Sequence, residues 1–402
     1  MKVGKVLYVG AALVVAPLAL GLWHPFAEAQ GGPPVPQYKV DPFWPKPLPT
    51  VKDADGQSHA WITGEVGATC IDSHDHIITV NRSYHKGSLG GILPQEGTTS
   101  IPAPPVVVYD PDGNMVSSWG DPTLLDNGGT KVLPNGTHGC FADYQDNIWI
   151  AGNADGVVQK WSHDGKTMLL QIGTKGLCDG PERAPAPPPA LPAPFPTCGE
   201  PGTNTGQTLR NNPADLAVDP NPDPITGQPG SVYIADGYGN HRVVVFDRAG
   251  KYLRQFGSPG SGDGQFGLSG GGHPHCVVLG NDNLVYACDR SQNRIVVFDR
   301  NGTFQKNIPV NPPDQMKAVL RVTDLAFSPE RAQNFLYDVD LGSDRIWILN
   351  RLGVVLAGIG RPGHQAGELT FPHTVALDSK GNVYVSETIN GRRSQKFVKV
   401  AE

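Results

Sequence analysis

The sequence predicts an all-β fold: a six-bladed β-propeller of four-stranded repeats, its ring closed by an N-terminal strand. Three observations predict it. The 402 residues include 50 glycines and 38 prolines, a richness in turn formers that implies many short strands. Aligned with itself, the chain repeats at roughly forty to fifty residues. Each repeat reads strand, turn, strand, polar corner, strand, turn, strand, most clearly in SVYIADGYGNHRVVVFDRAGKYLRQFG and NLVYACDRSQNRIVVFDRNGTFQKNI. Within these, Val243-Val244-Val245-Phe246 followed by Asp-Arg-x-Gly is a strand running into a tight turn. Six such units make a propeller, whereas a pair of β-sandwiches leaves the period unexplained.

Taken in order, residues 1–29 read as a signal peptide. Lys2 and Lys5 precede an apolar run, and Ala27-Glu28-Ala29 offers a small-residue cleavage site. An uncleaved anchor is the alternative, and would be the chain's one membrane contact. The mature protein is therefore expected to be secreted or periplasmic. Residues 30–58 form an N-terminal extended segment, and the propeller occupies 59–402. Its first copy is HIITVNR and, after an insertion at 84–105, PPVVVYDPDGNMVSSWG. NIWIAGNADGVVQKWSHDGKTMLLQIG follows, then a second insertion at 174–212 whose APAPPPALPAPFP is polyproline-like. FLYDVDLGSDRIWILNRLGVVLAGIG is the fifth copy, and NVYVSETINGRRSQKFVKV stops after a third strand. The segment around Ala60-Trp61-Ile62 is expected to supply the missing strand, which would leave no exposed sheet edge.

Six cysteines in an exported chain are free to pair. Cys178 with Cys198, flanking the proline-rich insertion, is the leading pair. Cys70 with Cys140 and Cys276 with Cys288 follow from repeat geometry. No CxxC spacing suggests a cysteine zinc site. A net charge of -6 with scattered Lys and Arg gives no footprint for nucleic acid.

The first residues of the six opening strands, placed in register, are Gly67, His138, Ala214, His275, Thr323 and His373. Histidine occupies every second repeat. Alternate blades of a six-fold ring stand about 120° apart, and opening strands line the channel, so three imidazoles converge near the axis. Three neutral nitrogens with an open fourth position suit a metal, Zn²⁺ by default. A second register, just past the second strand, carries Arg82 and Arg290, with Gly237 and then Tyr238 in the third repeat. Two guanidiniums can hold a carboxylate or a developing oxyanion. A phenol can move a proton, although a free tyrosine ionises only near ~10 and needs nearby positive charge to act as a base.

These residues resemble the peptidyl-α-hydroxyglycine α-amidating lyases, six-bladed propellers of NHL-type repeats, over essentially the whole mature chain. The resemblance rests on His138 in THG, His275 in HPH, His373 in FPH, Arg82 in VNR, Tyr238 in DGY and Arg290 in DR. It implies an axial zinc on the three histidines, with Tyr238 catalytic and Arg82 and Arg290 functional. It also implies cleavage of an N-acyl-α-hydroxyglycine to an amide and glyoxylate. The implied partner is a small-molecule or peptide substrate ending in an α-hydroxyglycine-like carboxylate, taken by a monomer. Arg82 would stand nearest the chemistry, and Arg290 would position substrate or tyrosine. A structural Ca²⁺ of that family is not carried over, because Thr374 stands where the family has an acid after the third histidine. Its disulfides do not carry over either, since GYGN has glycine at the cysteine position and Cys288 is out of register. Two other readings stand beside this one. A metal-dependent propeller hydrolase of lactones or esters wants channel carboxylates, and this register offers His, Gly, Ala and Thr. A non-catalytic NHL-type binding platform would make the alternation of histidines coincidental.

Overall fold

The computed structural model describes residues 32–84, 91–120, 133–134, 136–175, 177, 203–207, 211–268, 272–313 and 321–400. The expected signal peptide, Cys178, Cys198 and most of the 174–212 insertion lie outside them. The described residues contain no α-helix and form six four-stranded antiparallel sheets with small accessory ones.

Sheet one comprises Val66–Ile71, Ile77–Asn81, Val106–Tyr109 and Met115–Trp119. Sheet two runs Thr137–Ala142, Ile148–Gly152, Val157–Trp161 and Met168–Ile172. Sheet three is Asp215–Asp219, Ser231–Asp236, Arg242–Phe246 and Tyr252–Phe256. Sheet four holds Val277–Leu279, Leu284–Asp289, Arg294–Asp299 and Phe304–Pro309. Sheet five has Asp324–Phe327, Phe335–Asp340, Arg345–Asn350 and Val355–Ile359.

The turns form for the reason the sequence suggests. Asp247 Oδ1 accepts the amides of Ala249 and Lys251, each at 2.9 Å, and Gly250 takes the positive φ of 79° that closes the hairpin. Asp299 repeats the arrangement around Asn301 and Thr303.

Sheet six is built from Pro372–Leu377, Val383–Glu387 and Ser394–Lys399, and its fourth strand comes from the N-terminal side. That donor is Tyr38–Asp41, in register from Tyr38↔Lys399 to Asp41↔Lys396. The expectation for Ala60-Trp61-Ile62 is corrected. Ser58–Ile62 pairs with Thr50–Lys52 on one edge and with Ser100–Pro102 of the first insertion on the other, so neither edge is open. The donor strand is anchored by Trp44, which is buried against Tyr109 of sheet one and Tyr384 of sheet six at ring-centroid distances of 5.6 and 5.0 Å.

Each junction between successive sheets has its own apolar cluster. Trp119 and Trp161 meet between sheets one and two, and Val245, Phe256 and Phe298 between three and four. Trp44, Ile77, Tyr109 and Tyr384 form a further cluster between sheets six and one. The opening strands of successive sheets also touch, the sixth meeting the first. Burying the alternate faces of every sheet in this way supplies the main stabilisation of the fold. Cys70–Cys140 covalently ties sheet one to sheet two, and Cys276–Cys288 joins neighbouring segments at sheet four. Both pairs agree with the repeat-geometry reading and indicate an oxidising compartment.

Candidate functional site

The opening strands of sheets one, two and six are each interrupted at the histidine register. Pairing skips one residue between Val66 and Ala68 and between Pro372 and Thr374, and two, opposite one, between Thr137 and Cys140. Such a bulge frees a residue from its ladder and re-aims its groups. Here it frees Gly67, His138 and His373. His275 lies two residues ahead of Val277–Leu279, held by its amide on the Cys288 carbonyl at 2.9 Å.

The six register positions then interlock. Nδ1–H of His138 donates to the carbonyl of Ala214 at 2.7 Å, that of His275 to Thr323 at 2.6 Å, and that of His373 to Gly67 at 2.6 Å. Each histidine thus leans on the non-histidine register residue of the next sheet. This second set of contacts fixes the tautomer and leaves every Nε2 with a free lone pair. The rings are 4.6 to 5.1 Å apart by centroid, and their ligand atoms form a group within 4.8 Å of one another.

Tyr238 joins them. Its hydroxyl lies 3.1 Å from His138 Nε2 and 3.0 Å from His275 Nε2. Arg290 donates to that hydroxyl at 3.5 Å, with its guanidinium over the phenol ring. Arg82 is held from both sides: Nε donates to the Thr137 carbonyl at 2.8 Å and Nη1 to Glu65 Oε2 at 2.8 Å. Backbone constraints leave room for these groups. A Cβ on Gly67 would sit 2.7 Å from the Thr137 carbonyl that Arg82 uses, and one on Gly272 would sit 2.7 Å from His275 and 2.8 Å from Arg290. All six residues singled out in the sequence therefore belong to one neighbourhood.

Burial, together with the charges of Arg82 and Arg290, opposes protonation of the imidazoles. His138 and His275 lie well below the ordinary range, and His373 is lowered to about 3. Neutral imidazoles are what a metal requires. The donor set also fits one. One phenolic proton lies between two imidazole lone pairs and can satisfy only one of them, whereas a cation accepts all of these lone pairs at once.

Several residues here were not singled out in the sequence. Glu65 is buried and takes hydrogen bonds from both Arg82 and Thr388. Tyr84, at the start of the 84–105 insertion, packs beside Arg82 with its phenol on Thr137, and burial pushes it up to about 12. Asp215 and Asp324, each one residue past the register, line a cavity of about 390 Å³. Neither stands in the register itself, which carries His, Gly, Ala and Thr as read from the sequence. Their role is visible in their partners. Asp215 accepts the Val277 amide at 3.1 Å, Asp324 accepts the Val375 amide at 2.9 Å, and Thr374 Oγ1 accepts the Thr69 amide at 2.8 Å. All three cap amides of neighbouring opening strands that no sheet ladder would satisfy. Burial raises Asp215 to about 7 and Asp324 well above its usual range, so the pair retains a proton near neutrality. Thr374 is further committed to Ser386 at 2.6 Å, and does not offer the free acidic oxygen that the resemblance's calcium position requires.

No family profile matches the chain. Over 381 residues it is 23% identical to human NHL repeat-containing protein 3, covering 90% of this chain and 84% of that protein. It is 25% identical over 246 residues to rat peptidylglycine alpha-amidating monooxygenase, 59% of this chain but 21% of that one. Form B of peptidyl-glycine alpha-amidating monooxygenase from Xenopus laevis is 25% identical over 256 residues, 61% of this chain and 24% of that protein. The match thus spans about a quarter or less of those monooxygenases. Among solved structures, a gluconolactonase from Xanthomonas campestris aligns with a TM-score of 0.50 at 13% identity, over 92% of this chain and 98% of that one. A protein of unknown function from Bacteroides thetaiotaomicron gives 0.52 at 12% identity, over 90% and 76%. Those two likenesses concern fold alone. The chain is an all-β protein similar along most of its length to NHL-repeat proteins, with amidating monooxygenases among its distant relatives.

Proposed function

We propose that the six sheets are blades of a closed six-bladed propeller, and that the chain is an exported zinc-dependent carbon–nitrogen lyase. It would split an N-acyl-α-hydroxyglycine into an amide and glyoxylate. One observation carries this reading: three Nε2 lone pairs from alternate sheets meet beside a phenol that contacts two of them and one guanidinium. Apolar clusters between sheets, including sheets six and one, support the closed ring.

His138, His275 and His373 would hold the zinc. Once bound, it supplies a Lewis acid that makes a neighbouring hydroxyl easier to deprotonate. Arg82, braced by Glu65 and the Thr137 carbonyl, would receive the substrate carboxylate with its remaining donors. Tyr238, positioned by Arg290, would take the α-hydroxyl proton. The electron pair left on oxygen closes the carbonyl of glyoxylate as the C–N bond breaks, and the departing amide nitrogen takes up a proton. Guanidiniums and dipoles fixed in place before the reaction would supply most of the rate.

The test is release of glyoxylate from α-hydroxyhippurate by purified mature protein, with zinc measured on the same sample. Near one zinc per chain with turnover supports the lyase. A second reading, a binding platform, is favoured by the longer match to NHL repeat-containing protein 3. It expects neither turnover nor tight zinc.

A further inference from the structure

A second imidazole–carboxylate group lies in the turn that joins the first two strands of sheet one. Asp72 Oδ1 accepts the amides of His74 and His76 at 2.9 and 2.8 Å. Asp143 in sheet two and Asp378 in sheet six clamp the equivalent turns in the same way. The other carboxylate oxygen sets the three apart. In sheet two it takes Trp149 Nε1 at 2.9 Å and Lys160 Nζ at 3.0 Å. In sheet six it takes Asn382 Nδ2 at 2.7 Å and the Tyr384 hydroxyl at 3.0 Å. In sheet one it meets two imidazoles instead: His76 Nδ1 at 3.0 Å and His163 Nε2 at 2.9 Å. His163 comes from the turn after the third strand of sheet two. The Asp72 side chain is fully buried, while His76 and His163 are 31% and 44% exposed. Sheets one, two and six therefore share a structural aspartate at this turn, and of the three only sheet one's is surrounded by imidazoles.

We infer that Asp72, His76 and His163 form a binding site for a divalent first-row transition-metal ion, Cu²⁺ above all, across the junction of sheets one and two. The three ligand atoms lie within 4.8 Å of one another. The three atoms are held together by hydrogen bonds at 3.0 and 2.9 Å, so little movement brings them onto one ion. Two imidazole nitrogens and one carboxylate oxygen bind Cu²⁺ most tightly among the first-row divalent ions, in the tetragonal geometry that Cu²⁺ prefers. Turn amides hold Oδ1, so Oδ2 acts as a single-oxygen ligand, and solvent completes the coordination on the exposed side. Each imidazole can shift its proton to the other ring nitrogen, presenting a lone pair without a change of charge. Cys70–Cys140, two residues before Asp72, ties the same two sheets and sets the spacing in advance. The site shares no residue with the channel histidines and stands independently of the lyase reading.

The test uses mature protein preloaded with one equivalent of Zn²⁺ and titrated with Cu²⁺ alone, followed by calorimetry and electron paramagnetic resonance. The variants are His163→Ala, His76→Ala and, as a channel control, His373→Ala. Wild type is expected to take up one more Cu²⁺ than His163→Ala, with a tetragonal two-nitrogen signal that disappears in His163→Ala and His76→Ala and persists in His373→Ala. Equal stoichiometry and spectra in wild type and His163→Ala would overturn the site. So would a copper signal lost only in His373→Ala.

Discussion

His373→Gln tests how the channel treats its imidazoles. The glutamine amide can still donate to the Gly67 carbonyl, so the substitution removes mainly a titratable group. In the fold His373 titrates at about 3, whereas an unfolded histidine titrates near ~6.5. Between those values the unfolded chain binds the extra proton, so stability rises with pH and is lost on acidification from the unfolded value toward the folded one. Linkage over that window gives a penalty of about 0.2 kcal/mol at pH 7 and about 2.7 kcal/mol at pH 4.5. Metal-free wild type should therefore lose about 2.5 kcal/mol more than His373→Gln over that range. Urea unfolding at four pH values, with chelator present, measures it. A changed hydrogen bond to Gly67 shifts the variant by a constant and leaves the slope alone. Parallel pH profiles would refute the reasoning, because they would mean that the ring accepts a proton as readily inside the channel as outside.

Asp324 works in the opposite sense. Its raised value means that stability falls as pH rises above the ordinary carboxylate range, so Asp324→Asn, which keeps an acceptor for the Val375 amide, should be more stable than wild type at pH 8 and close to it at pH 4.5. Urea midpoints at both pH values decide this. Tyr238→Phe should lower turnover of α-hydroxyhippurate about 10²- to 10⁴-fold while metal content stays unchanged, as read by glyoxylate assay and elemental analysis. Cys70 and Cys140 are 70 residues apart and Cys276 and Cys288 are 12 apart. Chain entropy makes the long loop worth about 4.4 kcal/mol and the short one about 2.8 kcal/mol. Paired serine variants should differ in that order by urea unfolding.

Much of this was legible because the repeat is chemically explicit. Asp-Arg-x-Gly turns and Val-rich runs mark the strands, and alternating histidines become meaningful once the strands are in register. The donor strand was not legible. Tyr38-Lys39-Val40-Asp41 carries no repeat signature, and its place depends on Trp44 reaching Tyr109 and Tyr384. Ala60-Trp61-Ile62 looked more strand-like and is one, but it pairs with an insertion. The roles of Asp215 and Asp324, one residue past the register, were not legible for a related reason. Alternation assigns Asp215 and Asp324 to the face opposite their register neighbours, yet opening strands have an unpaired edge whose amides need acceptors. Glu65 precedes the first register residue by two, and only the folded position of Arg82 shows what it braces.

Zinc titration of metal-free protein, with glyoxylate release from α-hydroxyhippurate followed at each addition, tests the central claim most directly. The account predicts activity that rises in proportion to zinc, levels off at one equivalent per chain and is absent from His138→Ala. Turnover that ignores zinc, or zinc bound at one equivalent without any glyoxylate, would contradict it.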